Sequence, residues 1–192
     1  MTRVNNQFDA INLAQGFPDF DPPNQVVDSA KQALDEGFHQ YAITWGSPSI
    51  RSAIADKFSW FNGVQIDPDR HVTVVCGGTE AMMASMLAVV NPGDEIIVFE
   101  PYYENYGPDA LLAGGKPVFI PLYAKNDSFY FDPEELRNAF TKNTRAIVVN
   151  TPHNPTGKVF SLAELQSIAE LCIEYDVLAI TDEPYEHIIF DG

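Results

Sequence analysis

Basic residues are scarce in this sequence: 11 Lys and Arg stand against 27 Asp and Glu, a formal net charge of −16 over 192 residues. A nucleic-acid partner needs cations to displace phosphate counterions, and an anionic membrane surface attracts basic segments. The charge balance excludes both kinds of partner. Long apolar runs are lacking too. The opening MTRVNNQFDAIN has no apolar segment of signal type, and no stretch approaches the roughly 18 apolar residues that a spanning helix requires. Cysteine is limited to Cys76 and Cys172, too few for a metal-binding quartet. Two buried thiols in a reducing, cytoplasmic compartment are the expectation. His39, His71, His153 and His187 show no ligand spacing, and His187, beside Glu183 and Glu186, reads as a solvated turn rather than a metal site. No serine stands in a GxSxG elbow, and neither a GxGxxG fingerprint nor a Walker A sequence occurs.

Apolar material, by contrast, is ample. Hydrophobic residues make up 45% and aromatics 12%, which excludes wholesale disorder. The length suits one domain or a piece of something larger. Residues 12–23, NLAQGFPDFDPP, are dense in Gly, Pro and Asp and predict an extended, turning segment. A helix is expected from Asn24, read as its N-cap, to Glu36, with Gly37 at the C-terminal cap. Another starts near Ser47-Pro48, with Pro in the first turn.

From His71 the rhythm changes. The runs HVTVVC (71–76), EIIVF (95–99), KPVFIPL (116–122), RAIVVN (145–150) and VLAIT (177–181) read as strands. Between them, Thr79–Val90 and Ser161–Tyr175 read as helices, the latter opened by the Ser161/Glu164 capping box. Alternation of this kind implies βαβ units, hence an α/β class with a mainly parallel sheet flanked by helices.

Ligands of such sheets collect beyond the carboxyl ends of the strands, and the chemically informative residues stand there. CGGTEAM (76–82) joins a strand to a helix, where glycines admit close approach and free N–H groups suit an anion; a tight turn explains it equally well. In NTPHNPTGK (150–158), Asn154 is either part of a rigid loop or a donor into a cleft, its backbone held by Pro155. Asp182 ends an apolar strand, a costly place for a carboxylate without a cation or donor. It either caps the next element or pairs with a protonated ring nitrogen.

Taken in order, NLAQGFPDF, QYAITWGSP, GGTEA, FEPYYENY, NTPHNPTGKVF and TDEPYEHIIFDG resemble the class I aminotransferases, pyridoxal-phosphate (PLP) enzymes of the aspartate-aminotransferase-like fold. They look closest to the branch acting on glutamine, methionine, kynurenine and cysteine conjugates. The resemblance implies the type I PLP-dependent transferase fold, with residues 1–45 as N-terminal arm and start of a small domain. Residues 46–192 would be the N-terminal portion of an incomplete large, PLP-binding domain. It implies pyridoxal 5′-phosphate as cofactor, amino acid and 2-oxo acid as substrates, and a homodimer. Gly78 and Thr79 would cradle the phosphate, Tyr103 would stack on the ring, and Asp182 would pair with the pyridinium nitrogen. Asn154 and Tyr185 would hydrogen-bond the phenolate oxygen. Gly16 would lie against the substrate carboxylate, and Tyr41 would reach toward the site of a second subunit.

The family's covalent lysine lies one strand beyond the DExY segment. None of Lys31, Lys57, Lys116, Lys125, Lys142 and Lys158 matches it, so no catalytic residue is expected in this chain, which reads as the N-terminal part of such an enzyme. The family's later strands sit between the first strand and the rest, leaving HVTVVC without neighbours here. A non-catalytic truncated paralogue acting as a binding or regulatory module is the alternative. A generic phosphate- or nucleotide-binding module retaining only the GGTEA loop is a third reading.

Overall fold

A computed structural model describes residues 1–16 and 18–190. Phe17 of the NLAQGFPDF motif and the terminal Asp191-Gly192 lie outside them. The chain divides into two compact units, Met1–Ser47 and Pro48–Gly192.

The first unit holds helix α1 (Thr2–Phe8) and helix α2 (Asn24–Asp35), and neither buries a residue. Asn24 is the first residue of α2 and not its cap; Pro23 holds that place, with no side-chain capping bond. The other end follows expectation. The Gly37 N–H donates to Leu34 O at 3.1 Å and the Phe38 N–H to Ala33 O at 2.9 Å, the paired bonds of a Schellman closure.

The second unit opens with α3 (Pro48–Lys57), which runs into a π-helical turn at Phe58–Asn62. Helix α4 (Gly78–Val89) precedes strand β1 (Glu95–Glu100), α5 (Tyr106–Leu112) and β2 (Lys116–Pro121). A hairpin, β3 (Tyr123–Lys125) and β4 (Ser128–Tyr130), follows. Then come α6 (Pro133–Ala139), β5 (Thr144–Asn150), α7 (Leu162–Tyr175) and β6 (Leu178–Asp182). The main sheet runs β2-β1-β5-β6, every pair parallel.

Its two faces bury alternate residues, as period-two geometry requires. Ile97, Phe99, Ile147 and Val149 face one cluster, with Ile120, Leu136 of α6, and Ile168 and Leu171 of α7. Ile96, Val98, Ala146 and Val148 face the other, with Met82 and Met86 of α4 and Ala110 of α5. The unit is therefore a three-layer sandwich. Ile96, Ile97 and Ile147 are wholly buried, each contributing about 1.5–3 kcal/mol of transfer free energy. Packing before β2 is tight enough to demand glycine: a Cβ on Gly115 would stand 2.3 Å from Ile96 Cδ1 and 2.8 Å from Val90 Cγ1.

Four of the five expected strands form. His71–Cys76 does not; among the described residues no strand lies beside it, and an apolar segment without a ladder partner has no sheet to join. The cysteine expectation needs a correction of the same kind. Both thiols are free, and Cys172 is buried in α7, but Cys76 is exposed because its segment is not packed into the sheet.

Candidate active site

The order β2-β1-β5-β6 reverses direction between β1 and β5: β2 follows β1 to one side, and β5 and β6 build out on the other. Loops leaving the carboxyl ends of strands diverge at such a switch point and open a crevice. A cavity of ≈ 240 Å³ lies within this unit. Residues following β1, β5 and β6, together with the start of α4, line it.

All six residues assigned to the cofactor by resemblance, Gly78, Thr79, Tyr103, Asn154, Asp182 and Tyr185, line this one cavity. Gly16 and Tyr41 belong to the other unit, Met1–Ser47, and Tyr41 is fully exposed. Four further lining residues, Met82, Tyr106, Asn150 and Pro184, were not singled out from the sequence. Two of them carry a readable signal. Tyr106 stands three residues after Tyr103, a spacing that puts both on one side of a helical turn. Asn150 is the polar residue that ends the buried apolar run Ala146–Val149, and such a group needs hydrogen-bond partners.

Each lining group owes its place to a local feature. Gly77 caps α4 with φ 91°, a conformation that glycine adopts without strain, so the chain turns sharply into the helix. The first-turn N–H groups at Gly78 and Thr79 have no intrahelical acceptor and carry the positive end of the helix dipole. The Asn105 amide donates to Thr79 Oγ1 at 3.1 Å, which leaves the threonine hydroxyl proton free for another acceptor.

Asp182 is the last residue of β6. The Tyr106 hydroxyl donates to its Oδ2 at 2.5 Å. Burial first, and then the neighbouring carboxylate, push the Tyr106 phenol well above its ordinary value, so it stays a donor. Tyr103 and Tyr106 meet edge to face at 5.9 Å and 68°. Asn150, 2% exposed, donates from Nδ2 to the Asp182 carbonyl at 2.7 Å, and its Oδ1 accepts the Asn154 N–H at 2.6 Å.

Lys158 is spent elsewhere. Its buried ammonium donates to Glu164 Oε1 at 2.7 Å and Phe129 O at 2.9 Å, and lies 4.9 Å from the Phe160 ring centroid. Burial tends to raise the Glu164 carboxyl, but hydrogen bonds from Lys158 and Ser161 outweigh it and hold the group below its ordinary value. His153 lies buried in the same loop. Its ring is held down to about 4, by burial first and the Lys158 charge second. Among the described residues no group of three His, Cys, Asp or Glu could hold a metal ion, and no helix is long and apolar enough to cross a membrane.

A cavity with an anion-facing helix start, an aromatic wall and a hydrogen-bonded carboxylate suits a ring-bearing anionic ligand. Residues 9–192 match the family of class I and II aminotransferases. The sequence is 40% identical over 201 residues to human kynurenine–oxoglutarate transaminase 1, covering 99% of this chain and 48% of that protein. It is 42% identical over 191 residues to the probable N-succinyldiaminopimelate aminotransferase DapC of Mycobacterium tuberculosis, covering 100% of this chain and 48% of that protein. The solved structure of the Mycobacterium tuberculosis N-succinyldiaminopimelate aminotransferase superposes with a TM-score of 0.96 at 42% identity, over 100% of this chain and 50% of that one. YbdL of Escherichia coli, described with a methionine aminotransferase function, superposes at 0.93 with 37% identity, over 100% and 50% of the two chains. The chain spans about half the length of the curated relatives it matches. The α/β sandwich is thus the fold of the aminotransferases, and the chain belongs to the class I and II aminotransferase family.

Proposed function

We propose that the cavity binds pyridoxal 5′-phosphate and that the chain supplies the cofactor-holding half of an aminotransferase acting on an amino acid and a 2-oxo acid. One observation carries the reading: an aromatic ring, an α-helix N-terminus and a strand-end carboxylate, drawn from three separate segments, converge on one ≈ 240 Å³ space. Those are the groups that a flat, nitrogen-containing ring with a phosphate arm calls for. No Cβ obstructs the cradle, since Gly77 and Gly78 both face open space.

In this reading the Gly78 and Thr79 N–H groups and the Thr79 hydroxyl receive the phosphate. Tyr103 stacks on the ring, an arrangement worth about 1 kcal/mol beyond burial. Tyr106 occupies Asp182 Oδ2, so the carboxylate keeps Oδ1 for a protonated ring nitrogen, whose proton it stabilises by charge. Asn154 and Tyr185 donate to the ring oxygen. When bound, the cofactor supplies an electron sink for the carbanion at the substrate Cα.

Amine chemistry on the cofactor needs a lysine, and among the described residues the cavity lining contains none. The chain by itself therefore holds the cofactor without turning it over. The remaining assignments belong to the same proposal: Gly16 at the substrate carboxylate, Tyr41 in a homodimer's shared site, and residues 1–45 and 46–192 as parts of the small and large domains. Binding is tested by titrating the chain with pyridoxine 5′-phosphate, which keeps the ring nitrogen, hydroxyl and phosphate but has no aldehyde to react with lysines. Saturable binding that is weakened in Tyr103→Ala supports the reading; absence of binding removes it.

A further inference from the structure

Asn150 closes β5 and is paired in register with Asp182 at the end of the β5–β6 ladder. Beyond that pair the sheet stops, and Asn154 stands four residues further on, in the loop. No ladder bond reaches that far; the Asn150 side chain does. One rigid amide plane donates to the Asp182 carbonyl and accepts the Asn154 N–H, at 2.7 and 2.6 Å. Few neutral side chains supply a donor and an acceptor at this separation. Leucine matches the shape and makes neither bond. Aspartate keeps the acceptor and sets a second oxygen against the Asp182 carbonyl.

We propose that Asn150 is a positioning residue that ties the Asp182 main chain to the Asn154 main chain, so that the Asp182 carboxylate and the Asn154 side-chain amide both engage a single ligand ring. The inference rests on the reading of the cavity as a pyridoxal-phosphate site, and adds to it a lining residue that holds the main chains of the site's two polar contacts. Asp182 and Asn154 arrive on different segments, β6 and the post-β5 loop. Without the amide their separation is set by the loop alone, and the ring nitrogen and ring oxygen are not held together.

The test is a titration of the chain and its Asn150→Leu and Asn150→Asp variants with pyridoxine 5′-phosphate, read at several pH values by the ring's absorbance. The wild-type chain is expected to bind and to keep the ring nitrogen protonated to higher pH than in the free ligand. Both variants should bind about tenfold more weakly, the scale of one or two lost hydrogen bonds, and the nitrogen's titration should move back toward that of the free ligand. A defect of folding alone would lower the fraction of binding chain without changing the titration of the ligand that remains bound. If Asn150→Leu loses the slow-exchanging amides of β1, Asn150→Asp carries the comparison. The Asn154 amide should exchange slowly in Asn150→Asp and fast in Asn150→Leu. Variants with wild-type affinity and wild-type ring titration overturn the inference and leave the site reading intact. A wild-type chain that does not bind overturns both.

Discussion

Asp182 and Tyr106 illustrate how one hydrogen bond divides a carboxylate's work. With Oδ2 accepting from the phenol, the group is oriented and partly satisfied, and one oxygen is left toward the cavity. Replacing Tyr106 by Phe should remove a phenol that does not ionise in the ordinary range. Ultraviolet titration of the eight tyrosines should show one buried phenol in the folded wild type that resists base more strongly than all the others, the exposed and also raised Tyr123 included, and the variant should lack it. The linkage has a definite sign. A phenol raised in the folded state stabilises the fold below the unfolded value of 10.0 and gives that stability up as pH rises past it. The Phe variant should lack this alkaline loss. His153 works in the opposite direction: its ring is lowered from 6.5 to about 4, so only the unfolded chain takes up its proton in that window. Stability should fall between pH 6.5 and 4 by up to about 3 kcal/mol, following 1.36 kcal/mol per unit. His153→Asn, which can still meet Thr156, should flatten that slope in urea melts recorded across the window.

At the scale of elements, Lys158 binds three pieces together. Through Phe129 O it reaches β4, through Glu164 the first turn of α7, and through its own backbone the loop that carries Asn154. Removing one partner of a buried pair leaves the other charge unmatched, at a cost near 3 kcal/mol. Lys158→Met should lower stability by about that amount in urea denaturation, and weaken ligand binding through the Asn154 loop. A loss below 1 kcal/mol would mean the pair is solvated.

The elements also differ in how plainly the sequence announces them. The four ladder strands and α7, with its capping box, are legible because burial and capping write their own patterns. The β3–β4 hairpin is not, although Asn126 and Asp127, at φ 49° and 61°, are the residues that tolerate a left-handed two-residue turn. Helix α6 hides behind Asp132-Pro133, an N-cap and first-turn proline whose apolar face is too short to show a period. His71–Cys76 errs the other way. Its composition is that of a strand, but a strand exists only with a neighbour, and composition does not supply one.

For the molecule as a whole, the net charge of −16 takes on a particular meaning beside the cavity. Among the described residues the cavity lining contains a carboxylate and no lysine or arginine, and helix N–H groups and hydroxyls are its donors. Cavity-lining residues are legible to the extent that they stand in motifs at strand ends. Asn150 and Tyr106 carry only the weak signals of a polar strand end and a three-residue spacing, because their bonds to Asp182 and Asn154 appear only once the elements are packed together. Gly16 and Tyr41, in the first unit, remain assignments by resemblance.

In the proposed function, Asp182 and its neighbours hold a pyridoxal-phosphate ring. Equilibrium dialysis of pyridoxal 5′-phosphate against the chain and its Asp182→Asn variant tests it most directly, because adducts on surface lysines are common to both proteins and cancel in the difference. The prediction is one additional saturable site per wild-type chain, weakened about tenfold or more by the loss of one charged contact. Identical isotherms for the two proteins would contradict it.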